Sequence, residues 1–340
     1  MKPGARDAFV AAFLLLAFVF LAWFNWSKPR ILVLHSFDEE VRSVVKADEG
    51  IRRILATNRQ PVSMRWHYLS MNRLADEAGR QVAASTAKRR IEQFDPDIIV
   101  AVDDEAQQYV ARHYTGQVKT RVIFTAIDRA PKDYGYAAQH NVTGISEVLP
   151  LDAIRETLLH LRGGAAARVA VLTSAMPTGL GRMQQLRSFD WAPHTLVALD
   201  ATPHFAAWQK IAGDMAQRAD VILVLSHHGL QRSASDTRLV PGAEIVAWLN
   251  EQVLALPVGT SADYVEDGGM LAIYPSSLEM GELAIHYALD WLRTGTNAGL
   301  PFIYSAHFRV GARESLLRQR NLRLPRIYRA AAHLEQLYYP

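Results

Sequence analysis

Short runs of consecutive apolar residues recur along the chain, and each run ends abruptly in small or polar residues. Ile31–Leu34 leads into a His-Ser-Phe-Asp segment, Ile98–Val102 leads into acidic residues, and Val221–Leu225 leads into Ser-His-His. Runs of this length are typical of strands that are buried on both faces of a parallel sheet. Helical patterns separate them, as expected of β-α-β units. The chain is therefore predicted to be an α/β protein with parallel sheets.

The alternation of strands and helices occurs twice. A first cycle ends at a short strand predicted at Asn141–Ile145, and a second cycle of similar length ends at a strand predicted at Met270–Tyr274. Two such cycles predict two similar Rossmann-like lobes, because single cores rarely grow to the size of this chain. Ligands of open parallel sheets bind outside the carboxyl ends of the strands. We therefore expect the binding residues to lie on the loops that follow the strands.

An apolar run precedes the first predicted strand. It extends over 17 residues, Ala8–Phe24, and follows the basic residues Lys2 and Arg6. This pattern fits either a secretory signal peptide or a short membrane anchor. The run ends near Trp23 and Trp26 instead of the small residues of a cleavage site, and such aromatic residues are typical of a membrane interface. We therefore predict that residues 1–29 form an uncleaved signal-anchor helix, with cleavage as the alternative.

Several classes of chemistry are disfavoured by what the sequence lacks. The chain has no cysteine, which excludes disulfides, thiolate nucleophiles and zinc-thiolate sites. Gly179-Leu180-Gly181 lacks the third glycine of a dinucleotide-binding loop, and the sequence has no Walker motif and no Gly-x-Ser-x-Gly motif. The basic residues are scattered, so nucleic-acid binding is not favoured. We predict a protein that is not an enzyme and that uses no cofactor.

Two polar clusters have competing interpretations. Asp103, Asp104 and Glu105 follow a predicted strand and precede a helix, so they could cap that helix or contact a ligand. Capping is preferred for Asp104 and Glu105, whereas both interpretations stay open for Asp103. His227 and His228 are adjacent, and adjacent side chains point in different directions in regular structure. We expect one imidazole to face the cleft and the other to face solvent, and we predict no metal site.

Polar and aromatic residues at the predicted strand ends form the candidate binding site. Hydroxyls, a few carboxylates and aromatic walls around a cleft suit a small polar or amphipathic ligand. The candidate ligand-binding residues are Ser36, Phe37, Asp103, Asp104, Thr125, Asp128, Ser174, Ser226, Tyr264 and Tyr274. They do not form an evident catalytic set, so no catalytic residue is predicted.

Several segments, taken together in their order and spacing, resemble a known family. They are Ile31–Leu34 followed by His-Ser-Phe, Asp95–Val100, Val122–Ala126, Asn141–Ile145, Asp267–Tyr274 and Leu322–Pro325. This pattern resembles the ABC-transporter substrate-binding family of the tryptophan/tyrosine-binding type. The resemblance covers nearly everything from Arg30 to about Leu334. It implies the type I periplasmic-binding-protein fold, in which two α/β lobes joined by a hinge close on a small ligand.

The resemblance also implies a division of the chain. Lobe 1 is expected at residues 30–145 plus about 275–305, lobe 2 at residues 146–274, and a helical tail that packs on the lobes at residues 306–340. The hinge crossings are expected near Ile145-Ser146 and Tyr274-Pro275. The acidic segments Phe37–Glu40 and Asp103-Asp104 depart from the family pattern. If both face the cleft, they favour a cationic or amine-bearing ligand.

The function implied by the resemblance is that of an extracytoplasmic solute-binding protein. It would present a small ligand, amino-acid-like or amine-bearing, to an ABC permease. The expected location is the periplasm, with attachment to the inner membrane through the N-terminal helix. The alternative is a stand-alone periplasmic sensory module that acts on a membrane sensor protein. An enzyme on the same architecture is poorly supported, because no nucleophile and base can be paired.

Overall fold

The computed structural model describes residues 4–137 and 139–340, without the side chains of residues 5–8 and 25–26. The strands are β1 (Arg30–His35), β2 (Ser63–Tyr68), β3 (Ile98–Val102), β4 (Arg121–Ile127), β5 (Val142–Ser146), β6 (Arg168–Ser174), β7 (Thr195–Thr202), β8 (Val221–Val224), β9 (Leu256–Gly259), β10 (Leu271–Pro275), β11 (Ile303–Tyr304), β12 (Phe308–Arg313) and β13 (Tyr338–Tyr339). The helices are α1 (Ala5–Ser27), α2 (Arg42–Thr57), α3 (Glu77–Phe94), α4 (Asp103–Tyr109), α5 (Leu151–Leu161), α6 (Pro177–Ser188), α7 (Phe205–Ala216), α8 (Gly242–Gln252), α9 (Ala262–Glu266), α10 (Ser277–Thr294), α11 (Glu314–Gln319) and α12 (Arg326–Leu334).

The strands form two sheets, one in each lobe. The first sheet has the order β11-β5-β4-β3-β1-β2, and its neighbouring strands are parallel. The second has the order β13-β12-β10-β9-β8-β6-β7, with β12 antiparallel to β10. The strand β1 lies between β2 and β3, so Val33 is opposite both Trp66 and Val100. The predicted α/β architecture with parallel sheets is confirmed.

Each sheet is covered by helices on both faces, which explains the continuous apolar runs of the strands. In β1, Leu32 and Leu34 belong to the core formed with α3, whereas Ile31 and Val33 belong to the core formed with α2 and α10. All four side chains are almost fully buried. A strand with two buried faces has no polar alternation, because side chains on both faces leave water.

The chain crosses between the lobes three times. It leaves the first sheet after β5, returns after β10 so that α10 packs on α2, and leaves again between β11 and β12. The third crossing was not expected from the sequence, which predicts a helical tail at residues 306–340. The segment Phe308–Arg313 instead pairs with β10, and the helix α11 begins only at Glu314. Backbone pairing with β10 overrides the helical propensity of the Ala-Arg-Glu segment.

The N-terminal segment is helical, but its predicted role in the membrane is not confirmed. The helix α1 covers the predicted apolar run, and its described apolar side chains, such as Phe13 and Leu16, are mostly exposed. Within residues 4–137 and 139–340, no helix has both the length and the apolar character that crossing a bilayer requires. Lys2 and the side chains of Arg6 and Trp26, which entered the prediction, lie outside the described part of the chain.

Candidate functional site

A cleft lies between the lobes at the carboxyl ends of both sheets. Its volume is about 830 Å³, including space that is open to solvent. Volumes of this order are typical of small-molecule sites. Both lobes contribute polar and apolar side chains to its walls, among them Phe37, Asn72, Asp103, Met176, Thr178 and Ser261.

Four of the ten predicted binding residues line this cleft. Phe37 and Asp103 follow β1 and β3 in the first lobe, Ser226 follows β8 in the second, and Tyr274 lies in β10. The Tyr274 hydroxyl is buried and has no hydrogen-bond partner among the described residues. Buried polar groups are normally paired, so an unpaired hydroxyl beside the cleft is unusual.

Two predicted residues of the first lobe lie beneath the cleft and not on its surface. The Ser36 hydroxyl donates to the Val102 carbonyl and accepts from the Ala106 N–H, each at 2.8 Å. The Thr125 hydroxyl donates to the Met280 carbonyl at 3.1 Å. Both side chains are fully buried. These hydroxyls join the strand ends to α4 and α10, which leaves them outside the cleft lining.

Asp104 holds the first lobe together instead of capping a helix or lining the cleft. Its carboxylate accepts from the backbone N–H groups of Asp128 and Arg129, at 3.0 and 3.1 Å, and from the Tyr134 hydroxyl. The helix α4 begins directly at Asp103, with no side-chain cap. The carboxylate therefore fixes the loop after β4 against α4.

Two predicted residues of the second lobe are also outside the cleft lining. The Ser174 side chain is buried, and its hydroxyl donates to the Ser226 hydroxyl at 3.2 Å. Tyr264 is fully buried in the core of the second lobe, where its ring meets His227 edge-on at 5.7 Å between centroids. The short helix α9 directs the Tyr264 side chain into the core. The position of this residue after β9 in the sequence does not indicate that orientation.

Asp103 has the most unusual environment of the residues that line the cleft. It is 8% exposed, and its carboxylate has no hydrogen-bond partner among the described residues. Burial, and then the neighbouring carboxylates of Glu105 and Glu147, raise the pKa of Asp103 well above its ordinary value. Its backbone is left-handed, with φ of +67°. Strain of this kind in a non-glycine residue persists where the surrounding structure enforces it, and it is frequent at functional sites.

Arg182 of α6 joins the two lobes through a buried ion-pair network. Its guanidinium donates to Asp128 at 3.1 Å and to Glu147 at 2.6 Å, and it also donates to the Leu225 carbonyl at 3.1 Å. Burial opposes its charge, but Asp128 and Glu147 raise the pKa of Arg182 above its already high value. Asp128, a predicted ligand residue, is thus the partner of Arg182 and is not in the cleft lining.

Neither Arg182 nor Glu147 is among the residues predicted from the sequence. Glu147 directly follows β5, the strand from which the chain first crosses between the lobes, and this position is the signal that could have identified it. Arg182 has no comparable signal, because a single arginine in a helix is most often exposed.

A second contact between the lobes connects Glu105 and Thr178. The Thr178 hydroxyl donates to the Glu105 carboxylate at 3.0 Å, and both side chains are buried. Burial, and then the charge of Asp104, raise the pKa of Glu105 to about 7. The carboxyl group therefore changes its charge near neutral pH at the surface where the lobes meet.

We expect the Glu105→Gln variant to lose part of the pH dependence of stability. The folded protein keeps the Glu105 proton above pH 4.5, where the unfolded chain releases it, so this group destabilises the fold progressively between about pH 4.5 and 7. A shift to about 7 corresponds to about 3 kcal/mol across that range. Urea unfolding at pH 5, 6, 7 and 8 should show that the free energy of unfolding of the variant declines less steeply with pH than that of the unaltered chain. Glu251→Gln, at an exposed position of α8, is the control, and equal slopes for all three proteins would contradict the assignment.

Gly181 allows α6 to approach the first lobe closely. A Cβ atom at this position would lie 2.9 Å from the Asp128 Cβ and 3.0 Å from the Arg129 backbone nitrogen. Contacts this short require one side to move. Gly181 is therefore explained by packing between the lobes, whereas a Cβ atom at Gly179 would lie 2.3 Å from Thr173 Oγ1 within the second lobe.

The Gly181→Ala variant should weaken the closure of the lobes without lowering the stability of the fold. Alanine raises helix propensity by about 1 kcal/mol, but its methyl group prevents the observed approach of α6 to Asp128. We expect a larger radius of gyration by small-angle scattering without a lower melting temperature. Gly213→Ala in α7 is the matched control, because a Cβ atom there meets nothing within 4 Å. An unchanged radius of gyration would contradict this role of Gly181.

The two adjacent histidines both line the cleft, which corrects the expectation that one of them faces solvent. The Nε2 atoms of His227 and His228 lie 2.6 and 2.9 Å from the same oxygen, Oδ2 of Asp267. They follow β8 in an irregular loop, so the alternation of regular strands does not apply to them. Burial, and then the neighbouring His228, lower the pKa of His227 to about 4, whereas the hydrogen bond to Asp267 helps to raise that of His228.

No family model matches the chain, and no curated protein matches it. Solved structures do match at low sequence identity. The ABC domain in complex with L-Trp from Streptococcus pneumonia is 17% identical with a TM-score of 0.65, covering 89% of this chain and 98% of that one. A conserved domain protein from Vibrio cholerae is 14% identical with a TM-score of 0.68, covering 90% and 99%. A ligand-free, open substrate-binding protein with adhesive properties from Clostridium difficile is 14% identical with a TM-score of 0.61, covering 88% and 96%.

These similarities extend over nearly the whole of each compared chain. They show that the protein has the type I periplasmic-binding-protein fold, as the resemblance in the sequence implied. At this level of identity they establish the fold and not the ligand, so the chemistry of the cleft has to be argued from its own residues.

Proposed function

We propose that this protein is an extracytoplasmic solute-binding protein whose lobes close on a small molecule with a positively charged amine. The observation that carries the proposal is the Asp103 carboxylate, which lies in the cleft wall without a hydrogen bond or ion pair to the described residues. A buried charge without compensation is strongly unfavourable, and a cationic ligand would compensate it. Two aromatic rings in the lining, Phe37 and Tyr274, would add cation–π and apolar contacts.

The remaining charges of the cleft favour an amine without a carboxylate. Among the described residues of the lining, Arg182 is the single arginine or lysine, and Asp128 and Glu147 already neutralise it. Asp263 adds a further carboxylate from the second lobe. A ligand carboxylate would therefore meet like charges, and like charges at close distance are unfavourable.

Closure of the lobes is supported by the contacts between them. The ion pairs of Arg182 and the hydrogen bond between Glu105 and Thr178 join groups from the two lobes at the edge of the cleft. Closing around a ligand removes water, which strengthens these charged contacts. In this arrangement the ligand and the contacts between the lobes stabilise the same conformation.

Delivery to an ABC permease and a periplasmic location are further parts of the proposal. They are supported by the similarity to the ABC domain that binds L-Trp and by the basic, apolar N-terminal segment of the sequence. Attachment to the inner membrane through α1 stays a prediction from the sequence.

Identification of co-purified molecules tests the proposal directly. Mass spectrometry of the gently isolated full chain, after denaturation, is expected to release a small molecule with a positively charged amine. Tryptamine and L-Trp form a matched pair of probes, because they differ only in the carboxylate, and tryptamine should raise the melting temperature more. A neutral or anionic released molecule, or a larger shift with L-Trp, would contradict the proposed ligand class. The absence of any released molecule together with no shift from either probe would overturn the binding function.

A further inference from the structure

His227, His228 and Asp267 converge at the wall of the second lobe. Both histidines come from the loop after β8, and Asp267 directly follows α9. Their ligand-forming atoms all lie within 4.8 Å of one another, and both imidazoles present Nε2 to the same carboxylate oxygen. We propose that these three residues bind a late first-row divalent metal ion, with Zn²⁺ as the representative case.

The donor set fits this class of metal ion. Two imidazole nitrogens and one carboxylate oxygen are common ligands of Zn²⁺, whereas Ca²⁺ and Mg²⁺ prefer oxygen ligands alone. Ligands at about 2.1 Å in a tetrahedral arrangement are separated by about 3.4 Å. The observed separations of 2.6 and 2.9 Å from each Nε2 to Asp267 Oδ2 would have to increase by about 0.5 to 0.8 Å to admit the ion.

Gly242, the first residue of α8, leaves the space that the cluster needs. A Cβ atom at this position would lie 2.1 Å from Asp267 Oδ2 and 2.7 Å from His228 Nε2. Any other residue would push the carboxylate or the imidazole out of its present position. The backbone of α8 thus forms one side of the cluster, and a side chain there would occupy it.

The two histidines of the cluster border the cleft. His227 and His228 both line the cleft, and Asp263 lies on the same wall. Three protein ligands leave one tetrahedral position for water or for a donor atom of a molecule in the cleft, as in metal sites that exchange their fourth ligand. The neighbouring carboxylate of Asp263 also makes the surroundings favourable for a cation.

The proposal is tested by calorimetric titration of the full chain with ZnCl2, after dialysis against a chelator and then a non-coordinating buffer. We expect one ion per chain with micromolar or tighter affinity. His228→Ala and Asp267→Asn should each weaken the affinity at least tenfold, because each removes one of three ligands. His286→Ala, on the exposed side of α10, should leave it unchanged.

The outcomes of this titration decide whether the three residues bind the ion. If the unaltered chain binds no Zn²⁺, or if His228→Ala and Asp267→Asn both bind it with full affinity, the proposal is wrong. Asp267→Asn keeps the shape of the side chain, so it remains informative where His228→Ala fails to fold, and circular dichroism checks the fold of each variant. Zn²⁺ titration and the amine-binding measurements are made separately on the same chain, so the two proposals can fail independently.

Discussion

Replacing Arg182 by Met should shift the protein strongly toward an open conformation. The variant leaves the carboxylates of Asp128 and Glu147 buried without their cation. Removing one partner of a buried ion pair costs about 3–5 kcal/mol. Opening the lobes would return both carboxylates to water, so the penalty falls mainly on the closed conformation. A penalty of this size lowers the closed population about 100-fold or more.

Small-angle scattering and ligand affinity together measure this effect. The Arg182→Met variant should have a larger radius of gyration and an affinity for the identified ligand that is about 100-fold weaker. Arg182→Lys keeps the charge but loses the forked geometry, so an intermediate result is expected. Arg187→Met, at an exposed position of the same helix, is the matched control. A compact Arg182→Met variant with unchanged affinity would show that the ion pairs do not govern closure.

The Asp103→Asn variant should bind the ligand weakly while its ligand-free form becomes more stable. Truncating one partner of a buried charged contact costs about 2 kcal/mol or more, which corresponds to a loss of affinity of about 30-fold. Without ligand, the same change removes an unpaired carboxylate that burial disfavours. Opposite effects on affinity and stability are the signature of a binding residue, since a structural residue would lose both.

The pH dependence gives a second measurement on Asp103. Because its pKa is raised in the folded protein, the native state holds the proton that the unfolded chain releases, so ionisation lowers stability as pH rises. A cationic ligand binds the ionised form, so affinity should rise with pH above the ordinary aspartate range in the unaltered chain and not in Asp103→Asn. Asp214→Asn, exposed on α7, controls for the loss of one negative charge. An affinity that is independent of pH in the unaltered chain would argue against contact between Asp103 and a cation.

The fold could be predicted because its strands are buried on both faces. Runs such as Ile98–Val102 have no polar alternation, and this pattern is hard to produce in any other architecture. The tail could not be predicted in the same way. Phe308–Arg313 forms a strand through antiparallel pairing with β10, which lies more than 30 positions earlier in the sequence, and no local pattern indicates that partner.

The candidate site could be located but not assigned residue by residue. The rule about strand ends points to the edge of both sheets where the cleft lies, and Phe37, Asp103, Ser226 and Tyr274 are in the cleft lining. The same rule cannot tell which side chain turns back into the protein, as that of Tyr264 does. That choice depends on the packing of short helices and on hydrogen bonds between distant segments.

The histidine pair illustrates a different limit. The expectation for His227 and His228 rested on regular geometry, but the two residues lie in a loop, and both rings turn to Asp267. Asp267 is separated from them by 39 and 40 positions in the sequence. No local pattern connects three residues at that distance, so their meeting depends on the fold alone.

The third crossing between the lobes also determines the order in which the protein can be completed during synthesis. The first sheet lacks β11 and its covering helix α10 until residues 277–304 have been made, although its other strands end at Ser146. The second sheet needs β12 and β13, which come later still. Domains that are continuous in sequence fold one after the other as the chain emerges from the ribosome. Here neither lobe can be finished before most of the other has been translated, so the two must mature together.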